Sequence, residues 1–282
     1  MKNILIIIAV VLIAGGGYFY FTQMEKGPAK ELTEENGEEA STEDKVGGEG
    51  YKILSSFEAP GSQPSGITWD GSNFWAISDS EIYKLDSEGG VIYTDNAFGE
   101  KMEVKSRAPG GNATGLAWGE NYLWYVSGGN FNDGTIYKLS PQTENGSLSI
   151  DRLSSFDVPE MDGSGEAEDI TLGDNSIWVS YDNPMGDIDE MIYEFDMDGN
   201  LISEFKAPGS EPSGLAWDGE YLWNGNTERA PEPGKIYKLD TNGNVISEFD
   251  APDSWPGGME WIEGNLWLMG SNEGVVYELE IK

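Results

Sequence analysis

The chain has 282 residues, enough for one large domain or two small ones and ample for a buried core. It contains neither Cys nor His, which excludes disulfides, thiol nucleophiles, Cys/His zinc sites and imidazole acid–base chemistry. Its 16 basic and 51 acidic residues give a net charge of −35, which argues against nucleic acid as a partner and suits cations, basic proteins or a salty medium. Any catalysis must therefore use Asp, Glu, Ser, Thr, Tyr or Lys, or a metal held by oxygen ligands.

The chain opens with "MKNILIIIAVVLIAGGGYFYF". Ile4 to Phe21 is an uncharged stretch of 18 residues, about the minimum for a spanning helix, preceded by Lys2 and ending in an aromatic cluster suited to a membrane interface. Residues 1–21 read as a single-pass anchor, with a cleaved signal peptide as the rival (Ala14-Gly15-Gly16). Both place the remainder outside the cytoplasm, held at the cell membrane or secreted. Residues 22–50 hold one Leu, one Val and one Met among Glu, Lys, Gly, Ser and Thr. Too little apolar surface is available there to offset ordering entropy, so the segment reads as a disordered acidic tether.

From residue 51 one phrase returns five times: "GITWDGSNFW" from Gly66, "GLAWGENYLW" from Gly115, "DITLGDNSIW" from Asp169, "GLAWDGEYLW" from Gly214 and "GMEWIEGNLW" from Gly258. A second phrase follows each copy, such as "IYKLD" from Ile82 and Ile236. A third, "GNLISEFKAPG" from Gly199 or "GNVISEFDAPD" from Gly243, completes the unit. Spacings of 49, 54, 45 and 44 residues, with several strands each, predict propeller blades. "GLAW" is inner strand a, "YLW" strand b, "KIYKLD" strand c and "NVISEF" outer strand d. The Gly opening strand a fits a crowded axis. The chain stops after the fifth strand c, and "YKILSSFEAPG" from Tyr51 matches strand d in pattern. The expectation is an all-β, five-bladed propeller of four-stranded blades over 51–282, with the N-terminal strand closing the last blade.

In this topology the a–b and c–d turns share one face and the variable b–c and d–a loops the other, the better binding surface. The long connection Asn96 to Gly115 adds Lys101, Lys105 and Arg107 as a basic spot. Trp69, Trp118, Trp217 and Trp261 recur in register and read as interblade core. Asp70 and Asp218 read as turn formers. "DMDGN" from Asp196 has the start of an EF-hand loop but reads as a plain c–d turn. "NAT" at Asn112 and "NGS" at Asn145 are glycosylation sequons.

Repeat three breaks the pattern. Ser65, Thr114, Ser213 or Gly257 precede strand a elsewhere; here Glu168 does, followed by Asp169. Leu153 to Phe205 carries 15 acidic residues and no Lys or Arg. Glu166, Glu168 and Asp169, with Asp162, fall in one loop and Asp182, Asp187 and Asp189 in the next, an oxygen-rich set that could hold Ca2+. A solvated acidic surface is the competing reading. Glu260, inward on the fifth strand a, points at the channel.

The phrases "PSGLAWDGEYLW" and "KIYKLDTNGNVISEFDAP" resemble exported propellers of the NHL, gluconolactonase-like and virginiamycin B lyase-like group. The lyase-like group relies on a His that this chain lacks; gluconolactonase-like members would imply Ca2+ held by Glu, Asn and Asp. Five blades and "EDITLGDNSIW" also resemble glutamine cyclotransferase, which would make Glu168 the catalytic acidic residue. Ser65 and Ser213 depart from the acidic or amide residues that family favours. Two functions follow as expectations. The first is a membrane-anchored extracytoplasmic module binding a protein, glycan or cation on the variable-loop face. The second is a glutamine cyclotransferase-like enzyme at the channel mouth.

Overall fold

The computed structural model describes residues 50–95, 101–103, 105–108, 113–128, 134–144, 147–158, 165–183, 189–228 and 233–282. The expected anchor and tether, both sequons, Asp162 and Asp187 lie outside them. The described chain is a five-bladed propeller.

Strand β1 (Tyr51–Glu58) comes first. Blade 1 follows with β2 (Pro64–Trp69), β3 (Phe74–Ser78), β4 (Glu81–Leu85), a small hairpin of β5 (Tyr93–Asp95) and β6 (Lys101–Glu103), and outer strand β7 (Lys105–Arg107). Blade 2 is β8 (Ala113–Gly119), β9 (Tyr122–Gly128), β10 (Gly134–Glu144) and β11 (Ser147–Asp157). Blade 3 is β12 (Glu166–Gly173), β13 (Ser176–Asp182), β14 (Met191–Asp196) and β15 (Leu201–Lys206). Blade 4 is β16 (Pro212–Trp217), β17 (Leu222–Asn226), β18 (Lys235–Leu239) and β19 (Val245–Asp250). Blade 5 is β20 (Pro256–Ile262), β21 (Asn265–Gly270) and β22 (Val275–Ile281), completed by β1, which pairs antiparallel with β22 from Tyr51↔Ile281 to Glu58↔Val275. The N-terminal strand therefore closes the ring as the repeat register requires.

Burial follows the blade plan. The b strands β3, β9 and β17 are wholly or almost wholly buried, whereas the outer strands β15 and β19 are mostly exposed. The repeated tryptophans knit neighbouring blades. Trp75 of blade 1 stacks on Trp118 of blade 2 (6.2 Å, 6°), and Trp223 of blade 4 on Trp261 of blade 5 (5.5 Å, 12°). The core reading of these rings holds. The axis is as crowded as the repeated glycines imply: a Cβ on Gly66 would stand 2.9 Å from the Thr114 carbonyl oxygen, and one on Gly258 2.6 Å from Gly66 Cα.

Two details differ from the sequence reading. The connection after residue 96 is partly strand: β6 and β7 lie within it. Lys105 belongs to the rim, where Nζ pairs with Glu81 at 2.6 Å and lies 4.9 Å from the Tyr83 ring centre. The a–b turns also come in two kinds. In blades 2, 3 and 5 a two-residue turn takes positive φ at both positions, as at Glu120-Asn121 (55° and 66°). In blades 1 and 4 Asp70 and Asp218 open a longer turn, and each carboxylate accepts two backbone N–H groups. Asp196 closes its c–d turn in the same manner, accepting from Asp198 N, Asn200 N and Asn200 Nδ2, so the plain-turn reading holds.

Candidate functional site

A single irregularity repeated five times builds the site. In every blade the pairing of strands a and b slips just before the core run begins: between Pro64 and Gly66, Ala113 and Gly115, Ala167 and Asp169, Pro212 and Leu215, and Pro256 and Met259. A β-bulge re-aims one side chain relative to strict alternation. The residues at the slip are Ser65, Thr114, Glu168, Ser213 and Gly257, and all five line one cavity of about 480 Å³ at the mouth of the channel. The b–c turns add Asp79, Ser80 and Ser271. The cavity thus opens on the b–c/d–a face.

Two positions earlier the repeats carry Gln63, Asn112, Glu166, Glu211 and Trp255. Gln63, Glu166 and Trp255 also line the cavity. One position later stand four glycines and Asp169. The floor beneath the mouth is therefore acidic in blade 3 and bare backbone elsewhere.

Glu168 sits at the centre of this arrangement. Burial, then the charges of Glu166, Asp182, Asp169 and Glu211, hold its carboxyl well above the usual carboxylate range. Burial raises Glu166 as well. Asp182 is pushed up to about 7, by burial first and then by Glu211, Glu190 and Glu166. Its Oδ1 is buried and accepts no hydrogen bond. Across the cavity Asp79 behaves oppositely. The backbone N–H of Ser62 (2.8 Å) and then its hydroxyl (2.7 Å) hold Asp79 below its ordinary value. One wall is thus a stable carboxylate, and the other a crowd of carboxyls that resists full ionisation.

Asp169 is 1% exposed and lies on the axis. Its Oδ2 accepts the N–H groups of Leu215 (2.8 Å) and Met259 (3.1 Å), tying blade 3 to blades 4 and 5, while Oδ1 has no partner. Burial raises its pKa far above normal against these donors. Deeper along the channel Glu260 accepts the Thr68 hydroxyl at 2.6 Å, and burial pushes it up to about 7.

The candidate Ca2+ ligands are not gathered into one shell. Glu166, Glu168 and Asp182 are electrostatic neighbours. Asp169 spends one oxygen on backbone donors, and Asp189 pairs at the surface with Lys206 at 2.6 Å. Among the described residues, no three acidic side chains converge closely enough to hold a metal ion. Sequence reading passed over Asp79 and Trp255. Asp79 carries no signal in the repeat pattern. Trp255 does: it stands where the matching loops have Gln63 and Glu211, and it is 53% exposed.

No family model and no curated protein matches the chain. Solved structures do. The glutaminyl cyclase of Myxococcus xanthus is similar at TM-score 0.57 and 13% identity, over 82% of this chain and 97% of that one. The PQQ-bound aldose sugar dehydrogenase of Streptomyces coelicolor is similar at 0.51 and 14% identity, over 78% of each chain. Virginiamycin B lyase of Staphylococcus aureus follows at 0.47 and 15%, over 82% of this chain and all of that one. At such identities the likeness speaks to fold, and at that level the resemblance read from the blade phrases is borne out.

Proposed function

We propose that this propeller is a ligand-binding module, held by its N-terminal segment at the outer face of a membrane, whose channel mouth takes up a primary ammonium group. The observation that carries the reading is the crowd around Glu168. Glu166, Asp182 and Glu211 raise its pKa by mutual repulsion on top of burial. A cation placed among them reverses the repulsive part and gives the orphaned Asp182 Oδ1 a donor. An ammonium supplies three donors to the carboxylates and to the hydroxyls of Ser65, Thr114 and Ser213, without the six to eight oxygen ligands that Ca2+ requires. The amine may come from a protein's amino terminus or an amino sugar of a glycan.

The test is calorimetric titration of an alanine amide and, separately, of CaCl2 into the full chain and into Glu168→Gln. The amide is expected to bind, with affinity rising from pH 6 to 7.5, and the variant to bind it at least about tenfold more weakly. Binding of Ca2+ alone would move the site to the acidic-loop reading.

One observation favours a second, catalytic reading. A carboxyl poised toward neutrality in an enclosed cavity suits general acid–base work, and the fold is shared with a glutaminyl cyclase. On an amino-terminal glutamine the α-amino nitrogen would bond to the side-chain amide carbon. The bond to the amide nitrogen would break, and ammonia would leave. Glu168 as carboxylate would accept the amine proton and return it to the departing nitrogen. Pyroglutamate formation by the wild type and its loss in Glu168→Gln is the expected result; equal rates in the two would overturn this reading.

A further inference from the structure

We infer that the mouth cavity is the first of two linked subsites, and that the second receives the basic side chains next to the ligand's amino terminus, making the ligand a basic peptide. This rests on the ammonium reading above. A second cavity of about 360 Å³ lies in the seam between blades 5 and 1. It shares Ser62, Pro64 and Ser271 with the mouth cavity, so the two form one continuous depression. Its own walls come from Glu58, at the end of β1, and from the turn that carries Asn272 and Glu273.

The depression is preformed. Ala59 N donates to Gly274 O at 2.9 Å, joining the two sides of the seam. Glu273 is held by its backbone N–H on Asp253 Oδ2 (2.9 Å) and by the Tyr277 hydroxyl donating to its Oε2 (2.6 Å). At the junction Ser62 is fixed by Asp79, and Ser271 N donates to the Trp255 carbonyl at 3.0 Å. The Trp255 ring stands half-exposed beside that junction, an apolar face for an aliphatic stem.

Shape and charge together select the occupant. Two cavities in series exceed what a lone ion or a single amino acid fills, and extended chain advances at most about 3.6 Å per residue. The ionisable residues lining them are Asp79, Glu166 and Glu168 in the first and Glu58 and Glu273 in the second, all acidic. A neutral sugar gains nothing from these charges. A peptide with its ammonium in the mouth and Lys or Arg in the seam meets a carboxylate at each step.

The experiment titrates four probes into the full chain at 0.1 M salt: the amides Ala-Lys-Lys-Ala and Ala-Glu-Glu-Ala, acetylated Ala-Lys-Lys-Ala, and a neutral trisaccharide. The Lys peptide is expected to bind about tenfold or more tighter than the Glu peptide, and Glu58→Gln with Glu273→Gln to shrink that ratio to about twofold. Glu58→Gln alone, at an exposed strand end, should shrink it partway and guards against misfolding of the double variant. Equal binding of the two peptides, an unchanged ratio in the variants, or binding of the trisaccharide alone overturns the seam subsite. Undiminished binding of the acetylated peptide overturns the ammonium reading instead, and the Lys-to-Glu ratio still decides the seam.

Discussion

The smallest unit that recurs here is a carboxylate, an indole and a lysine. Asp70 accepts the Trp75 Nε1–H at 2.8 Å while Lys84 lies 4.9 Å above the ring; Asp218, Trp223 and Lys238 repeat this at 2.8 and 5.0 Å. Each Asp also closes its turn, so one side chain satisfies two backbone donors and a buried indole. Sequence marked these residues as turn formers because Asp before Gly is a local signal. The bond to Trp five positions on is a tertiary consequence of where the turn places the carboxylate. Asp218→Ala strands those donors, and the expected loss is about 1–3 kcal/mol in a urea melt. Asp218→Asn should recover part of it, because the amide oxygen can still accept. At the channel mouth the same scale sets a different expectation. A cation bound beside Glu168 lowers a pKa that burial and its neighbours have raised, so binding must release protons. Amide titrations in two buffers of different ionisation enthalpy should show this release near pH 7, reduced in Glu168→Gln.

Among the elements, strand a carries most of the functional information. The five phrases made its position, its partner and its crowded start readable, because Gly66, Gly115, Gly214 and Gly258 are needed wherever inner strands meet. The bulge was not readable. A one-residue slip in pairing leaves no mark in a run such as "PSGLAW", yet it turns Ser65, Thr114, Glu168 and Ser213 into the cavity. The departure at Glu168-Asp169 was visible as a break in the repeat, but its two halves do different work. Glu168 lines the cavity, and Asp169 serves the fold by accepting from blades 4 and 5. Asp169→Ala is expected to cost about 2 kcal/mol, since it leaves the Leu215 and Met259 N–H groups unpaired. Asp169→Asn keeps an acceptor for them and removes a charge the site disfavours, so above neutral pH it should melt at or above the wild-type temperature. An Asn variant as unstable as Ala would mean that the charge itself holds the axis together.

For the whole molecule, ring closure and a surfeit of buried carboxyls act together. Closure was legible because strand d was missing at one end and spare at the other. The energetic state of the channel was not, because it depends on which acids fold inward. Asp182 and Glu260 reach about 7, and Glu166, Glu168 and Asp169 are raised too. In the unfolded chain such groups titrate near 4. Between those limits the folded protein holds protons that the unfolded chain has released, so stability falls as pH rises from about 4 and levels off above 7. The trend is the reverse of ordinary acid denaturation. Repulsion within a chain of net charge −35 has the same sign, and salt separates the two contributions. Molar KCl screens exposed charges over about 3 Å and leaves buried ones nearly untouched. The melting temperature is therefore expected to drop by several degrees from pH 5 to pH 8 in low salt, and to keep a clear part of that drop in 1 M KCl. Glu260→Gln should remove the share that titrates near 7 while retaining an acceptor for Thr68. A pH dependence abolished by KCl and unchanged in Glu260→Gln would assign the effect to the surface and leave the channel carboxyls ionised.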